Sequence, residues 1–137
     1  MEQRGQRLDE RIEQLAATVL NCGLQLHRDV GPGLLESVYE QVLADRLLHL
    51  GLTIDRQQPV NILIDGKTYP EAFRFDIVVN RSLLIEIKSM ERLGPVHISQ
   101  TLTYIRLMNL PLGLLLNFGS ETFKQGIRRV INDRYVR

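Results

Sequence analysis

Two alternating runs, residues 73–79 and 83–88, constrain this chain more than any other stretch. Alternation means strands, and the polar stretch Asn80-Arg81-Ser82 between them means a tight turn. On the first run Phe73, Phe75, Ile77 and Val79 point one way, and Arg74, Asp76 and Val78 the other. On the second, Leu83, Ile85 and Ile87 oppose Leu84, Glu86 and Lys88. Register then decides whether the charges meet. Directly opposite residues of an antiparallel pair share a face, and their numbers have a constant sum. A two-residue turn would set Asp76 opposite Ile85, on the wrong face. A three-residue turn pairs Val79 with Leu83 and places Asp76 opposite Glu86, so that both apolar faces coincide. The sequence therefore predicts the odd-length turn, or an equivalent bulge.

Like charges across a ladder repel, with Cβ atoms roughly 5 Å apart. Such a pair is tolerated when it shares a proton, meets a cation or binds a divalent metal. Lys88, on the face of Glu86, neutralises part of the charge. An arbitrary Asp and Glu-x-Lys on neighbouring strands are more often scattered surface charges. Here Ile77, Val78, Val79, Leu83, Leu84, Ile85 and Ile87 predict a hairpin covered on both faces, where paired carboxylates are costly without a partner.

The rest of the chain fits one domain of 137 residues, long enough for a core. With 17 Lys and Arg against 16 Asp and Glu, bulk charge gives no argument for nucleic acid. Residues 122–137 are locally basic, with Lys124, Arg128, Arg129, Arg134 and Arg137 against Asp133. That run reads either as the solvated face of a terminal helix or as a contact to phosphates. A single cysteine, Cys22, excludes an internal disulfide and any cysteine-built zinc or iron–sulfur centre within one chain. Residues 1–7 carry no export core, and no apolar run approaches the ~20 residues that span a bilayer, so the expected location is cytoplasmic.

Helical spacing of Ile12, Leu15, Ala16, Val19, Leu20 and Leu24 predicts a helix over about 8–27. Val30-Gly31-Pro32-Gly33 turns the chain, and a second helix over about 34–50 buries Leu35, Val38, Val42 and Leu43. Glu36, in its first turn, is either a helix-dipole partner or cap, or a third acid aimed at the hairpin. Tyr39, one turn on, is either core or a brace for that carboxylate. Strands follow at 53–54 and 60–64, and Asp65-Gly66 turns into a return strand over 67–69. After the central hairpin, a third helix over about 96–108 has a core stripe of Ile98, Leu102 and Ile105. His97, Gln100 and Tyr104 share another face, placed to bond phosphate or brace carboxylates. The apolar run 112–117 is a strand covered on both faces, and a last helix over about 123–133 turns Phe123, Ile127, Val130 and Ile131 inward. The predicted architecture is an α/β mixed sheet flanked by helices, in the order α-α-β-β-β-β-α-β-α.

Gly33-Leu-Leu-Glu36-Ser-Val-Tyr39 resembles the signature of the GxxExxY family. Asp76 followed at hairpin distance by Glu86-Ile-Lys88 resembles the core of the PD-(D/E)XK nuclease superfamily, and Gln100-Thr-Leu-Thr-Tyr104 resembles the QxxxY motif of its exonuclease-like branch. Phe75 stands where that superfamily often has proline before the aspartate. The resemblance spans about residues 10–132 and implies a restriction-endonuclease-like core. It also implies that Asp76, Glu86 and the Ile87 carbonyl hold Mg²⁺ or Mn²⁺, with Glu36 completing the site. Lys88 would orient the attacking water or meet the developing charge, and His97, Gln100 and Tyr104 would bind substrate. The implied activity is metal-dependent hydrolysis of nucleic acid, DNA in the first instance. A homodimer is expected if both strands of a duplex are cut. The alternatives are a catalytically silent module of the same fold that binds nucleic acid or a protein partner, and a purely structural domain.

Overall fold

The computed structural model describes residues 8–137; the start of the chain, on which the expectation of no export segment rests, lies outside the described residues. Helix α1 spans Glu10–Val30, capped by Asp9, whose carboxylate accepts from the backbone N–H of Arg11 and Ile12. Helix α2 spans Glu36–His49. Strands β1 (Ile54–Arg56), β2 (Pro59–Ile64), β3 (Lys67–Arg74), β4 (Ile77–Val79) and β5 (Leu83–Lys88) follow. Helix α3 (Pro95–Met108) leads to β6 (Leu112–Asn117), and after a 3-10 turn at Lys124–Gly126 the chain ends in β7 (Ile127–Ile131). One sheet has the order β1-β4-β5-β6-β7, and a separate two-stranded sheet holds β2 and β3. Among the described residues only β5 and β6 pair in parallel, joined by a helical crossover. No described helix is long and apolar enough to cross a membrane.

The central hairpin has the register expected of it: Val79 faces Leu83, Val78 faces Leu84 and Ile77 faces Ile85. Its three-residue turn places Asn80 (φ 50°) and Arg81 (φ 54°) in the left-handed region. The Ser82 N–H closes it onto the Val79 carbonyl at 2.9 Å. Both strands are buried throughout, Lys88 alone being half-exposed. Ile77, Val79, Leu83, Ile85 and Ile87 pack with Leu112, Leu114 and Leu116 against α1 and α2. The opposite face carries Val78 and Leu84 against Ile105 of α3 and Val130 of β7. Gly113 lets α3 approach, since a Cβ there would lie 2.8 Å from Thr101 Cγ2.

Four expectations are corrected. The last helix is instead a 3-10 turn and strand β7. Its apolar spacing suits a helix, but Gly126 sits where a Cβ would meet the Asn117 carbonyl at 2.2 Å, and Ile127, Val130 and Ile131 are strand formers. Pairing them with β6 also satisfies an edge that a helix would leave open, at the expense of leaving Ile131 37% exposed. Second, Phe73 and Arg74 belong to β3 and not to the hairpin's first strand, and the segment at Ile54–Arg56 is a strand in its own right, so five strands lie between α2 and α3 where the predicted order has four. Pro70 does not end that strand, because a bulge at Asn61 lets its side-chain oxygen accept the Glu71 N–H at 2.9 Å. Third, Phe75 packs with Val78 and Leu84, not with Ile77. Alternation breaks at Asp76, whose N–H bonds a side chain instead of the ladder. Fourth, two helix faces are rotated. In α2 the buried stripe is Tyr39, Leu43 and Leu47, with Glu40 and Ala44 beside it, while Leu35 is 74% exposed. In α3 it runs through Thr101 and Ile105, and Ile98 is exposed.

Candidate active site

Where β4 begins, the two acids are locked by a reciprocal exchange. The Asp76 N–H donates to Glu86 Oε2 at 2.9 Å, and the Ile87 N–H donates to Asp76 Oδ2 at 2.7 Å. Each carboxylate thus accepts a backbone proton from the other's strand, which continues the hairpin register by side chains where the backbone ladder has stopped. Ile87 turns its N–H to Asp76, and in an antiparallel pair a residue's N–H and C=O point to the same neighbour, so its carbonyl faces the same edge. Lys88 sits two residues beyond Glu86 on the α3 side, its own carbonyl accepting from Phe118 N–H at 2.8 Å.

The electrostatics follow from burial. Glu86 is 5% exposed. Desolvation first, and the adjacent Asp76 charge second, push its carboxyl up to about 8, against the Asp76 N–H and the Lys88 ammonium. Asp76 is raised as well, chiefly by desolvation and also by Glu36, while the Ile87 N–H, Gln57 and Lys88 oppose the rise. Glu86 therefore keeps its proton up to about pH 8, and Asp76 gives up its proton less readily than a free carboxyl, unless a cation joins them.

Glu36 is exposed in the first turn of α2, where an acid meets the helix dipole, and its charge also reaches Asp76. Tyr39 is core: it is fully buried, stacks on Phe118 with centroids 4.6 Å apart, and its hydroxyl donates to Gly31 O and accepts from Leu34 N–H at 3.2 Å. It ties down the turn that precedes Glu36 and does not touch the carboxylate.

Helix α3 brings one of its three polar residues to the acids. Tyr104 stacks on Phe73 at 3.9 Å, and its hydroxyl pKa is raised by burial and by the charges of Glu86 and Asp76. Gln100 is exposed and hydrogen-bonds neither acid. His97 accepts the Gly94 N–H through Nδ1 at 3.0 Å, closing the helix start and placing the ring proton on Nε2.

Three further residues join the site. Glu40 is buried, and its carboxylate takes Arg56 Nε at 3.1 Å and Gln57 Nε2 at 2.8 Å. The same Gln57 nitrogen donates to Asp76 Oδ1 at 3.1 Å, bridging the two acids. Desolvation and Asp76 raise the Glu40 carboxyl; Gln57 and Arg56 oppose this. Glu40 stands one turn from Glu36, beside the stripe of Tyr39, Leu43 and Leu47, and that stripe was the available signal. Gln57 carried none, because its role depends on a left-handed backbone (φ 48°) between β1 and β2.

Among the described residues no three His, Cys, Asp or Glu side chains converge as a metal-binding group. The donor set nonetheless fits a hard divalent cation. Mg²⁺ keeps several waters and commonly takes only one or two protein carboxylates. Asp76, Glu86 and the Ile87 carbonyl supply that number of oxygens from neighbouring segments, and a dication would offset the burial and negative charge that raise both acids.

Comparison with known proteins comes to the same place. The family model for the PD-(D/E)XK nuclease superfamily matches residues 13–130. No curated protein matches the chain. Among solved structures, that of SSO0001 is similar over 87% of this chain and 78% of its own, at 16% identity and a TM-score of 0.41, too distant to carry an argument.

Proposed function

We propose that this chain, which belongs to the PD-(D/E)XK nuclease superfamily, is a divalent-metal-dependent phosphodiesterase that hydrolyses nucleic acid, with DNA as its substrate. The observation that carries this reading is the reciprocal lock of Asp76 and Glu86, with Lys88 two residues on. The spacing of Gly33, Glu36 and Tyr39 supports placement in the GxxExxY branch.

In this reading Asp76, Glu86 and the Ile87 carbonyl hold Mg²⁺ or Mn²⁺, and Glu36 completes the set directly or through water. When bound, the ion supplies positive charge against the scissile phosphate and acidifies water. Lys88, on the face of Glu86, orients the attacking water and meets charge that develops on the phosphate. Tyr104, held by its stack on Phe73, offers its hydroxyl beside the acids. His97 donates through Nε2, and Gln100 reaches from the exposed side of α3 to the strand backbone. Cutting both strands of a duplex needs two such sites, so a homodimer belongs to the proposal. Sedimentation at the mass of one chain in the presence of duplex would remove that part. A cytoplasmic location fits the same reading.

The test is Mn²⁺ titration by calorimetry on the wild type and Asp76→Ala, followed by cleavage assays on single- and double-stranded DNA and RNA. Binding that disappears in the variant, with cleavage that disappears alongside it, is the expected result. A wild type that binds no metal and cuts none of the four substrates would end the nuclease reading and leave a binding module of this fold.

A further inference from the structure

The basic residues near the C-terminus stand apart from the carboxylates, and strand β7 sorts them. Adjacent residues of a strand point to opposite faces. Arg129 turns toward α1, where Nη2 meets Glu13 Oε2 at 3.1 Å. Arg128 turns the other way. Register runs from Glu86 to Leu115 to Arg128 across three strands, so Arg128 shares the face of Glu86, two strand spacings or about 10 Å away.

Arg128 lines a cleft of 910 Å³ together with Arg92 and Lys124. All three are exposed, and none forms an ion pair with a described residue, although Glu91 and Glu121 line the same cleft. The cleft lies beyond the C-terminal ends of parallel β5 and β6, the position at which open α/β sheets receive ligands. Its walls are fixed by one buried side chain. Asn117 accepts the N–H groups of Met90 and Gly119 through Oδ1, at 3.0 and 3.1 Å, and donates to Met90 O and Ser120 Oγ through Nδ2, at 2.9 and 3.2 Å. Gly119 and Gly126 admit the tight approach: a Cβ on the first would lie 2.3 Å from Met90 O, and on the second 2.2 Å from Asn117 O. The backbone segments that present Arg92, Lys124 and Arg128 are therefore stapled to a common floor, which sets the points from which the cations reach before a ligand arrives.

We propose that this cleft binds the phosphodiester backbone of the nucleic-acid strand, next to the phosphate at the carboxylate site. The inference rests on the nuclease reading of that site. Small-molecule pockets are mostly apolar, whereas this open cleft offers three cations, on backbone held in place, that form no ion pair with a described residue, which suits a row of phosphates.

The test is fluorescence anisotropy of a labelled single-stranded oligonucleotide, without divalent metal, over about 50–200 mM salt. Arg92→Ala/Lys124→Ala leaves the backbone bonds of Arg128 intact. Losing two phosphate contacts lowers the salt slope by about 1.4, which at ~0.1 M salt is a rise in Kd of roughly 25-fold. Arg129→Ala, which removes a cation outside the cleft, should leave both the slope and Kd within about twofold. Equal losses in the two variants, or none in either, overturn the proposal. The two readings fail separately. Mn²⁺ binding through Asp76 with no cleft-dependent binding of oligonucleotide sinks the cleft alone. Cleft-dependent binding in a protein that takes up no metal and cuts none of the substrates sinks the nuclease reading and leaves the cleft as a binding surface.

Discussion

Metal-free protein should lose stability as pH rises, because of Glu86. Its carboxyl has an ordinary value of 4.5 and sits at about 8 in the fold. A folded pKa above the unfolded one means that the native state holds the proton more tightly. The stabilisation is complete below about pH 4.5, falls between the two values, and is gone above about 8. The slope in that window is at most about 1.4 kcal/mol per pH unit, so the ceiling on the total is roughly 5 kcal/mol. Asp76 and Glu40 are also raised, and add with the same sign. Glu86→Gln isolates the effect. The amide oxygen still accepts from the Asp76 N–H, and no charge develops at this position as pH rises. Urea unfolding in chelator at pH 5, 6, 7 and 8 should show the wild type falling by several kcal/mol while the variant, which keeps the raised Asp76 and Glu40, falls by distinctly less. Saturating Mn²⁺ should restore the wild type at pH 8, by about 2.7 kcal/mol at a hundred times Kd, and leave the variant much less changed. Parallel curves for the two proteins would refute the argument, since they would mean that Glu86 is solvated well enough to ionise at no cost.

Gln57→Ala removes the bridge between Glu40 and Asp76; the expected result is Mn²⁺ affinity weaker by about tenfold at nearly unchanged Tm, read by calorimetry. Tyr39→Phe keeps the stack on Phe118 and loses both hydroxyl bonds to the Gly31–Leu34 turn, which should lower unfolding free energy by about 1–3 kcal/mol in urea. Gly119→Ala drives a Cβ into the Met90 backbone and should cost about 2 kcal/mol or more, with oligonucleotide affinity falling alongside stability.

What the sequence carried was whatever a local period could encode. The hairpin register followed from one requirement, that both apolar faces coincide, and it left Asp76 opposite Glu86 with no other arrangement open. The covered strand β6 followed from an apolar run after a helix, and its parallel pairing with β5 came from the structure. Misreadings arose where two periods fit the same residues and a distant contact chose between them. Residues Phe123, Ile127, Val130 and Ile131 suit a helix face, and the unsatisfied edge of β6 made them a strand. Leu35 and Val38 suit the apolar stripe of α2 as well as Tyr39 and Leu43 do, and the stack of Tyr39 on Phe118, far along the chain, fixed the rotation.

That rotation is also what makes the site more than a pair of acids. With Tyr39 inward, Glu40 is carried into the protein beside Asp76, and a buried carboxylate there demands donors. Arg56 and Gln57 supply them from the end of β1, and Gln57 spends its second proton on Asp76. Asp76 is thus held from both sides, by Gln57 on one oxygen and the Ile87 N–H on the other, while Glu86 is held by Asp76 itself. A pair of repelling acids fixed this firmly cannot relax by swinging into water. The remaining ways to relieve it are to bind protons or to bind a cation, and above about pH 8, where Glu86 gives up its proton, only the cation is left.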